Sequence, residues 1–533
     1  MCGISVEYFP NSSNIDESYS IVKNQLSIMK SRGPDASDIK IINPNLIFGH
    51  NRLAIIGLEK ESNQPMSLDD RFHIVFNGEI YNFQELKEDL VEHGEIFKTS
   101  SDTEVILVGY KVYGINIFVK LRGMFSIIIY DTLSKELIVT RDTFGIKPLY
   151  FFKADNGNYS FSSSVKAIEK SLKFNFSKNL KSKLLFDWFG HIPEPETVYN
   201  GIYAIKPGVT YIYSQNGLKE IEREDKLSNI YLKYENSPYK KSSKDSLVKE
   251  ISSSIGAHLT SDVPLSIFLS SGIDSNLIAY LAKKDHDISL FAQTLSVNSM
   301  SGSKYDEEIL ATLTSKKLNL EMNLKKANSE YIRENSTEVL KFMDQPSVDG
   351  LNIYMLSREL KLADFKVSLV GTGADELFCG YGFYNSLPYI SSLKRTSIFK
   401  YLSKNFNRKF KSTKLLKLFD SILPSNDILD SYLLQRSLRP PIQLLENYSL
   451  YEIKNAYEYL RNSIGEEVSN SSLDERSKLM YFDQIFYLKN QLLRDCDWAS
   501  MANSVEIRTP FVDKNILEFV LASKINSSKN IKK

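Results

Sequence analysis

The chain of 533 residues has few cysteines, few histidines and no long apolar run. Its three cysteines, Cys2, Cys379 and Cys496, form no C-x-x-C pair, which argues against a disulfide framework and a structural zinc site and favours a reducing compartment. The longest apolar run, Met124 to Tyr130, is far shorter than the roughly 20 residues that a membrane span requires. The 66 basic and 65 acidic residues nearly cancel, so neither nucleic acid nor a membrane surface is expected as a partner.

A secretory signal is not expected, because the chain does not open with a basic stretch followed by an apolar one. The cytoplasm is therefore the expected location. The length of the chain predicts two or three domains rather than one core.

The first part of the chain has the texture of strands joined by short turns. RFHIVFNGEIYN (71–82) and GMFSIIIYD (123–131) are rich in β-branched and aromatic residues, with Gly, Asn and Asp among them. Residues 83–94 and 102–114 instead have apolar residues at helical spacing and end in glycine. Because FSIIIY is apolar at both alternating positions, that strand is expected to be buried on both faces, and sheets covered by helices are predicted.

A polar, charged segment divides the chain into two halves of different texture. Residues 215–244 show no clear period and are interpreted as a linker. The predicted domains therefore span residues 2–214 and 245–533.

The second half begins with the pattern of an α/β domain. PLSIFL (264–269) predicts a buried strand, SNLIAYLAKK (275–284) a helix, and KVSLV (366–370) another short buried strand. Most of the remaining sequence to Val520 is helical in pattern. This order predicts an α/β nucleotide-binding domain with added helices.

The loop after the first strand of this half is built from small residues. A helix begins behind it, and backbone N–H groups at such a helix start can bind an anion closely. Ser270 and Ser275 can donate hydroxyl hydrogen bonds, and Asp274 can hold Mg²⁺ on phosphates. The chain has no Walker A motif. The alternative interpretation is a tight turn with Ser275 as a helix N-cap.

A second glycine-rich stretch, GTGADE, follows the KVSLV strand. Gly371 and Gly373 permit close backbone approach, and Asp375 and Glu376 offer carboxylates for a metal or for positioning. Beside the first loop, this stretch is expected to form a second wall for the same nucleotide.

Many ordered motifs together resemble the glutamine-dependent asparagine synthetases over Cys2 to about Val520. In the first half they are MCGI, SRGPD, NRLAI, FNGEIYN, SSDTEVI, LRGMFS and RDTFGIKPLY, and in the second half SSGIDS, KYDE (304–307), GTGADELFCGY and SMANSVEIRTPFVD. The SSGIDS loop is similar to the S-G-G-x-D-S loop of the ATP pyrophosphatases.

The resemblance implies that the first half is a class II glutamine amidotransferase domain, an Ntn-hydrolase with an αββα sandwich. Cys2, freed by removal of Met1, would be the nucleophile, and its own α-amino group, with an unperturbed pKa of about 7.7–8.0, would accept the thiol proton. The family's oxyanion donors fall on the Asn77 side chain and the Gly78 backbone N–H.

Three further residues match the family's glutamine-binding positions. Arg52 would bind the substrate α-carboxylate, Asp102 the α-ammonium, and Glu79 would add another contact. Taken singly, Arg52 could be a surface ion pair, the stretch 77–78 a hairpin turn and Asp102 a helix cap.

The resemblance implies an ATP-pyrophosphatase-type synthetase in the second half, and makes the chain a carbon–nitrogen ligase of the asparagine synthase (glutamine-hydrolysing) type. ATP would bind at Ser270, Ser271, Gly272, Asp274, Ser275 and Gly371. Thr372, Asp375 and Glu376 would form the acceptor and adenylate site, and Asp274 and Asp375 would hold Mg²⁺. Glutamine, ATP and aspartate would be the substrates, ammonia would travel through an internal tunnel, and a homodimer is the expected assembly.

The sequence departs from the family pattern in four places. Ser271 replaces a glycine of the pyrophosphate loop, and Thr372 stands where well-characterised members have a glutamate in G-E-G. The stretch DQPSVDGLNIYMLS (344–357) resembles members found with polysaccharide-biosynthesis genes. A C-terminal segment whose lysine serves the adenylate site is not found before Lys533.

Three hypotheses follow from these residues. The first is glutamine-dependent synthesis of asparagine. The second is the same chemistry on a uronic-acid sugar carboxylate in surface polysaccharide biosynthesis, which Thr372 and residues 344–357 favour. The third is a catalytically silent scaffold, motivated by the missing lysine segment. A Cys–His protease is rejected because it gives the ATP loop no role.

Overall fold

The computed structural model describes residues 2–10, 14–215, 217–237, 243–297, 306–385, 387 and 427–523. None of the helices in these ranges is both long and apolar enough to cross a bilayer. Lys304 and Tyr305 of the KYDE motif, and the chain end from residue 524 onward, lie outside the described residues.

Two six-stranded sheets form the N-terminal half. One has the order β10-β8-β9-β1-β3-β2 and the other β12-β11-β7-β6-β5-β4, with antiparallel neighbours throughout. The strands are β1 (Gly3–Tyr8), β2 (Ala36–Asn43), β3 (Leu46–Arg52), β4 (Met66–Leu68), β5 (Phe72–Ile80), β6 (Gly123–Asp131), β7 (Glu136–Arg141), β8 (Tyr150–Lys153), β9 (Tyr159–Ser162), β10 (Ile202–Ala204), β11 (Val209–Ser214) and β12 (Gly217–Glu222).

The first five helices of this half lie on the outer faces of the two sheets, and the last two pack against the C-terminal half. They are α1 (Ile15–Ile28), α2 (Phe83–Glu92), α3 (Asp102–Tyr113), α4 (Ile117–Lys120), α5 (Val165–Ser171), α6 (Leu180–Phe189) and α7 (Leu227–Lys233), with short 3₁₀ turns at Lys30–Arg32, Lys60–Ser62 and Gly114–Asn116. Helices α1 and α5 pack together, and α1 lies on β1 and β3, while α3 lies on β5.

Strand β6 contributes side chains to two of the hydrophobic cores of this half. Ile128 and Tyr130 point into the core between the sheets, whereas Ile127 and Ile129 pack under α2 and α3. Apolar residues at every position thus serve both faces of one strand. The predicted αββα sandwich is confirmed.

The segment expected to be a linker contains regular structure. Strand β12 pairs with β11, and α7 buries Ile230 and Tyr231 against the C-terminal half. Residues 238–242 of the segment lie outside the described residues.

The C-terminal half is built on a five-stranded parallel sheet with the order β15-β14-β13-β16-β17. Its strands are β13 (Leu265–Phe268), β14 (Phe291–Val297), β15 (Met322–Ala327), β16 (Val367–Leu369) and β17 (Glu506–Arg508). Because β13 and β16 are parallel neighbours, the loops that follow them meet at one edge of the sheet. The predicted α/β domain is confirmed.

Helices surround this sheet and continue beyond it. They are α8 (Lys244–His258), α9 (Ile273–His286), α10 (Glu308–Leu318), α11 (Ser329–Phe342), α12 (Leu351–Leu362), α13 (Ala374–Phe378), α14 (Ile428–Arg436), α15 (Pro441–Leu444), α16 (Leu450–Ser463), α17 (Glu466–Asn470), α18 (Glu475–Phe482), a π-helix (Asp483–Leu493), α19 (Arg494–Met501) and α20 (Lys514–Ser523). The added helices of the prediction are therefore present.

Candidate active sites

Cys2 and Asn77 meet where the two sheets of the sandwich face each other. The backbone N–H of Cys2, at the start of β1, donates to Oδ1 of Asn77 on β5, at 2.8 Å. Both residues are buried. The side-chain nitrogen Nδ2 of Asn77 has no hydrogen-bond partner in the described part of the chain. The side chain that binds the backbone of Cys2 therefore carries a buried amide donor without a partner, which is uncommon for a buried polar group.

Gly78 must be a glycine for the strand pairing to form. Its φ is +153°, and a Cβ atom there would lie 1.9 Å from the carbonyl oxygen of Met124 on β6. No side chain fits at that distance. Strand β5 therefore has no side chain at the position that follows Asn77, the residue bound to Cys2.

The peptide just before Asn77 is held by two buried side chains. The N–H of Phe76 donates to Oε1 of Gln64 at 2.6 Å, and its carbonyl accepts from Nε2 of His50 at 3.0 Å. Nε2 of Gln64 continues to the hydroxyl of Thr103 at 3.1 Å. Burial lowers the pKa of His50 to about 3, so the ring is neutral and serves as a fixed donor.

Arg52 lies inside the protein and its guanidinium is bound by a neighbouring loop. Nη1 donates to the carbonyl of Glu59 at 3.2 Å and to Oδ1 of Asn63 at 2.7 Å, and Nη2 donates to the carbonyls of Ile56 and Gly57. These partners are neutral, so the positive charge has no carboxylate bonded to it among the described residues. Arg52 is thus not a surface ion pair.

Asp102 and Glu79 place two carboxyl groups at the same site. Asp102 opens α3, but the N-cap is Ser101, and Oδ2 of Asp102 instead accepts from the N–H of Ile80 at 3.0 Å. Burial raises the pKa of Asp102 to about 6. Burial, and then the charge of Glu506, also hold the pKa of Glu79 well above its usual value, against the opposing charge of Arg508. Burial thus raises the pKa of both carboxyl groups, and that of Asp102 falls within the range where the group changes charge near neutral pH.

The thiol of Cys2 is protonated at neutral pH. Burial raises the pKa of Cys2, while a hydrogen bond from the backbone of Leu53 and the charge of Arg52 oppose that rise. A nearby base must therefore take the proton before attack.

The loop predicted to bind nucleotide forms a compact turn. The hydroxyl oxygens of Ser270 and Ser275 lie 2.9 Å apart, and the N–H of Gly272 donates to Oγ of Ser270 at 3.0 Å. Gly272, rather than Ser275, occupies the N-cap of α9 and provides no capping side chain. The N–H of Ser271 is bound by the carboxylate of Glu307.

The second glycine-rich stretch lies directly against this turn. A Cβ atom on Gly371 would be 2.9 Å from Cβ of Asp274 and 3.1 Å from the backbone nitrogen of Ser275. The structure therefore brings the two predicted loops together, in contact at Gly371. The hydroxyl of Thr372 lies 3.9 Å from Sγ of Cys496, whose pKa burial raises to about 12.

The two carboxylates after Gly373 are placed differently. Glu376 is 1% exposed and accepts from the hydroxyl of Tyr381 at 2.6 Å, so it lies behind the loop rather than on its open side. Asp375 is half-buried. Cys379 is packed at the edge of the core, and burial raises the pKa of its thiol to about 12. Among the described residues no three His, Cys, Asp or Glu side chains are grouped as metal ligands.

A buried ion pair joins the halves next to Cys2. Nε of Arg32 donates to the carbonyl of Cys2 at 3.0 Å, while Nη1 and Nη2 donate to the carboxylate of Asp497 on α19 at 2.7 and 3.1 Å. A cavity of about 180 Å³ adjoins this pair, and Met29, Ile146 and other residues of both halves line it.

Comparison with known proteins identifies both halves. The family described as "Glutamine amidotransferase domain" matches residues 1–224, and the family described as "Asparagine synthase" matches residues 247–533. The chain is 31% identical over 523 residues to asparagine synthetase [glutamine-hydrolyzing] 1 of Bacillus subtilis, which covers 95% of this chain and 78% of that protein. The chain belongs to the glutamine-hydrolysing asparagine synthetase family.

Two further proteins are similar to this chain. A putative asparagine synthetase [glutamine-hydrolyzing] 2 of Methanocaldococcus jannaschii is 29% identical over 474 residues, which is 81% of this chain and 85% of that one. Among solved structures, glutamine phosphoribosylpyrophosphate amidotransferase from B. subtilis is similar with a TM-score of 0.31 and 15% identity, over 70% of this chain and 77% of that chain.

Several buried site residues were not predicted. Arg32 lies within the SRGPD motif and Arg508 within SVEIRTPF, so membership of a matched motif was the available signal. Gln64 and His50 had no comparable signal, because their contacts with β5 arise only when distant segments pack together.

Proposed function

We propose that the chain hydrolyses glutamine at Cys2 and transfers the ammonia to a carboxylate that the C-terminal half activates with ATP. The free Nδ2 of Asn77 beside the buried thiol carries this proposal, because a donor without a ground-state partner is what a developing oxyanion requires. Residues 2–214 and 245–533 are the units assigned to the two reactions.

The first reaction is acyl transfer at Cys2. With Met1 removed, the α-amine takes the thiol proton and the sulfur attacks the glutamine amide carbon. Nδ2 of Asn77 and the N–H of Gly78 stabilise the oxyanion, ammonia leaves, and water then releases glutamate from the thioester. Arg52 holds the substrate carboxylate and Asp102 its ammonium.

The second reaction is adenylation. The loop at Ser270, Ser271, Gly272, Asp274 and Ser275 receives the ATP phosphates, with Gly371 as the opposite wall.

Two carboxylates suit Mg²⁺, which proteins commonly hold through one or two carboxylates together with the phosphates. Asp274 and Asp375, at the two loops, would hold it, and the ion would neutralise phosphate charge during the transfer.

The acceptor carboxylate attacks the α-phosphate, which forms an acyl-adenylate and releases pyrophosphate. Ammonia then displaces AMP and leaves an amide. Aspartate is the first candidate acceptor, with β-aspartyl-AMP as the intermediate and asparagine as the product. Relatives named asparagine synthetase support this choice. Asp375 is half-buried, whereas Glu376 is buried and accepts from Tyr381, so we assign Asp375 as the acceptor-side carboxylate and Glu376 as its support.

A uronic-acid sugar carboxylate is the second candidate acceptor. Thr372 supports this second candidate. Its neighbour is the uncharged thiol of Cys496, so position 372 offers no carboxylate, in contrast to the acceptor site expected for aspartate.

The test measures AMP release with ammonia as nitrogen donor, which bypasses Cys2. Purified full-length protein is given ATP, Mg²⁺ and either aspartate or a panel of nucleotide-linked uronic acids. AMP and asparagine formed with aspartate support the first candidate, and AMP formed only with a sugar acid supports the second. No AMP with any acceptor would contradict the adenylation reaction and favour a scaffold role.

A further inference from the structure

Arg508 reaches from the C-terminal sheet into the glutamine site. It is fully buried at the end of β17, and Nη2 lies 3.4 Å from Oε2 of Glu79 on β5. Neither of these two atoms makes a hydrogen bond within the described ranges. The ion pair is therefore the direct link between the side chain of Glu79 and the other half.

The rest of the guanidinium is anchored inside the C-terminal half. Nε donates to Oε1 of Glu506 at 2.8 Å, and Nη1 donates to the carbonyls of His258 at 2.8 Å and Thr260 at 2.6 Å. These three contacts lie within the C-terminal half. They fix the orientation of the guanidinium, and so the direction of Nη2, independently of Glu79. The position of the charge is thus set before glutamine binds.

The backbone of Arg508 belongs to the strand pair that precedes the nucleotide wall. Arg508 is opposite Leu369 of β16, and its carbonyl accepts from the N–H of Val370 at 3.0 Å. Gly371 and Thr372 follow immediately. One residue therefore contacts Glu79 through its side chain and the start of the ATP-binding wall through its backbone.

The guanidinium of Arg508 influences the charge state of Glu79. Burial and the carboxylates of Glu506 and Asp102 raise the pKa of Glu79, whereas Arg508 lowers it. In the part of the chain that the structure describes, the titratable or charged groups that face Glu79 are Cys2, Tyr81, Asp102, Glu506 and Arg508. Arg508 is the positively charged side chain among these groups, and its charge offsets the negative charges of the acidic residues.

We infer that Arg508 is a positioning residue that the synthetase half contributes to the glutamine site, where it holds Glu79 in place as a carboxylate contact for glutamine. The inference rests on the proposed glutaminase function. It also explains why an arginine, which does not touch the nucleophile, is buried between two carboxylates at the junction of the two halves.

The experiment is a double-mutant cycle on the full-length protein with Met1 removed. Arg508→Met and Arg508→Lys are each made alone and with Glu79→Gln, and kcat/KM for glutamine hydrolysis is measured from about pH 5 to about pH 9. Arg508→Met should move the acid limb upward by about 1–3 pH units, with at least a ~10-fold loss on that limb. Arg508→Lys, which keeps the charge, should recover most of it.

The Glu79→Gln background separates positioning from a general structural effect. There Glu79 no longer contributes to the acid limb and only the contribution of Asp102 remains, so above that limb Arg508→Met should reduce kcat/KM less than about twofold further. Equal losses in both backgrounds would overturn the inference. If Arg508→Met does not fold, Arg508→Gln, which also removes the charge, replaces it in the same cycle, where additivity with Glu79→Gln overturns the inference and coupling supports it.

Arg436→Met is the matched control, since Arg436 is an arginine of the C-terminal half that pairs with the buried Asp483 and has no contact with Glu79 among the described residues. It should leave the acid limb in place. Failure of the proposed function would look different: the unaltered protein would lack glutaminase activity, or Cys2→Ala would retain it.

Discussion

Replacing Asn77 with alanine tests the oxyanion assignment most sharply in the glutaminase half. The substitution removes Nδ2, the donor without a partner, together with Oδ1, which accepts from the Cys2 N–H at 2.8 Å. Loss of one oxyanion donor typically raises the barrier by about 2.7–4 kcal/mol, so kcat for glutamine hydrolysis should fall about 10²–10³-fold. KM should change little, because the oxyanion exists only in the transition state.

Stability should change far less than activity. The variant loses one hydrogen bond, worth about 1 kcal/mol, but it also removes a buried donor whose missing partner costs about 1–3 kcal/mol. These terms oppose each other, so thermal unfolding should shift only slightly. Asn51→Ala is the control, because the Nδ2 atom of Asn51 is fully used in a buried bond to the carbonyl of Leu26 at 2.7 Å.

The assay follows glutamate formation over a range of glutamine concentrations, alongside ammonia-dependent AMP formation by the same preparation. The Asn77 variant should lose the first activity and keep the second. A higher KM with unchanged kcat, or an equal loss in Asn51→Ala, would refute the reasoning about the free amide donor.

Three further predictions concern the surroundings of the two sites. Gln64→Leu releases the peptide of Phe76 and should lower kcat for glutamine roughly tenfold, as measured by glutamate release, while Gln64→Glu, which keeps the acceptor oxygen, should recover part of it. Because Asp102 must be ionised to bind an ammonium and burial raises its pKa to about 6, kcat/KM for glutamine should fall as pH drops through about 6, and a profile flat to pH 5 would contradict this. Gly371→Ala places a Cβ atom 2.9 Å from Cβ of Asp274, so ammonia-dependent AMP formation should fall with glutaminase retained.

The fold was predictable where side chains reveal which faces are buried. Strands β5 and β6 are buried along almost their whole length inside a sheet, and their β-branched and aromatic residues make the strand pattern strong. Strand β12 was missed because it is a polar edge strand that joins β11 through its backbone and exposes most of its side chains. Hydrophobic periodicity contains no signal for such a strand.

The sequence was sufficient to predict which residues belong to the site, but not the contacts that they make. Motifs named Cys2, Asn77 and Asp102, which the sandwich brings together. The hydrogen bonds of Gln64 and the ion pair of Arg508 depend on how distant segments pack, which residue types alone do not reveal. The two halves contact each other directly, and no composition shift could have predicted which side chains cross between them.

The central claim is that one chain produces ammonia at Cys2 and consumes it at an ATP-dependent site. Cys2→Ala protein, compared with the unaltered protein, should be assayed for AMP release with an active acceptor and either glutamine or ammonia. The variant should lose glutamine-dependent AMP formation and keep ammonia-dependent AMP formation near the unaltered rate. Retention of glutamine-dependent amidation by Cys2→Ala, or equal loss with both nitrogen donors, would contradict it.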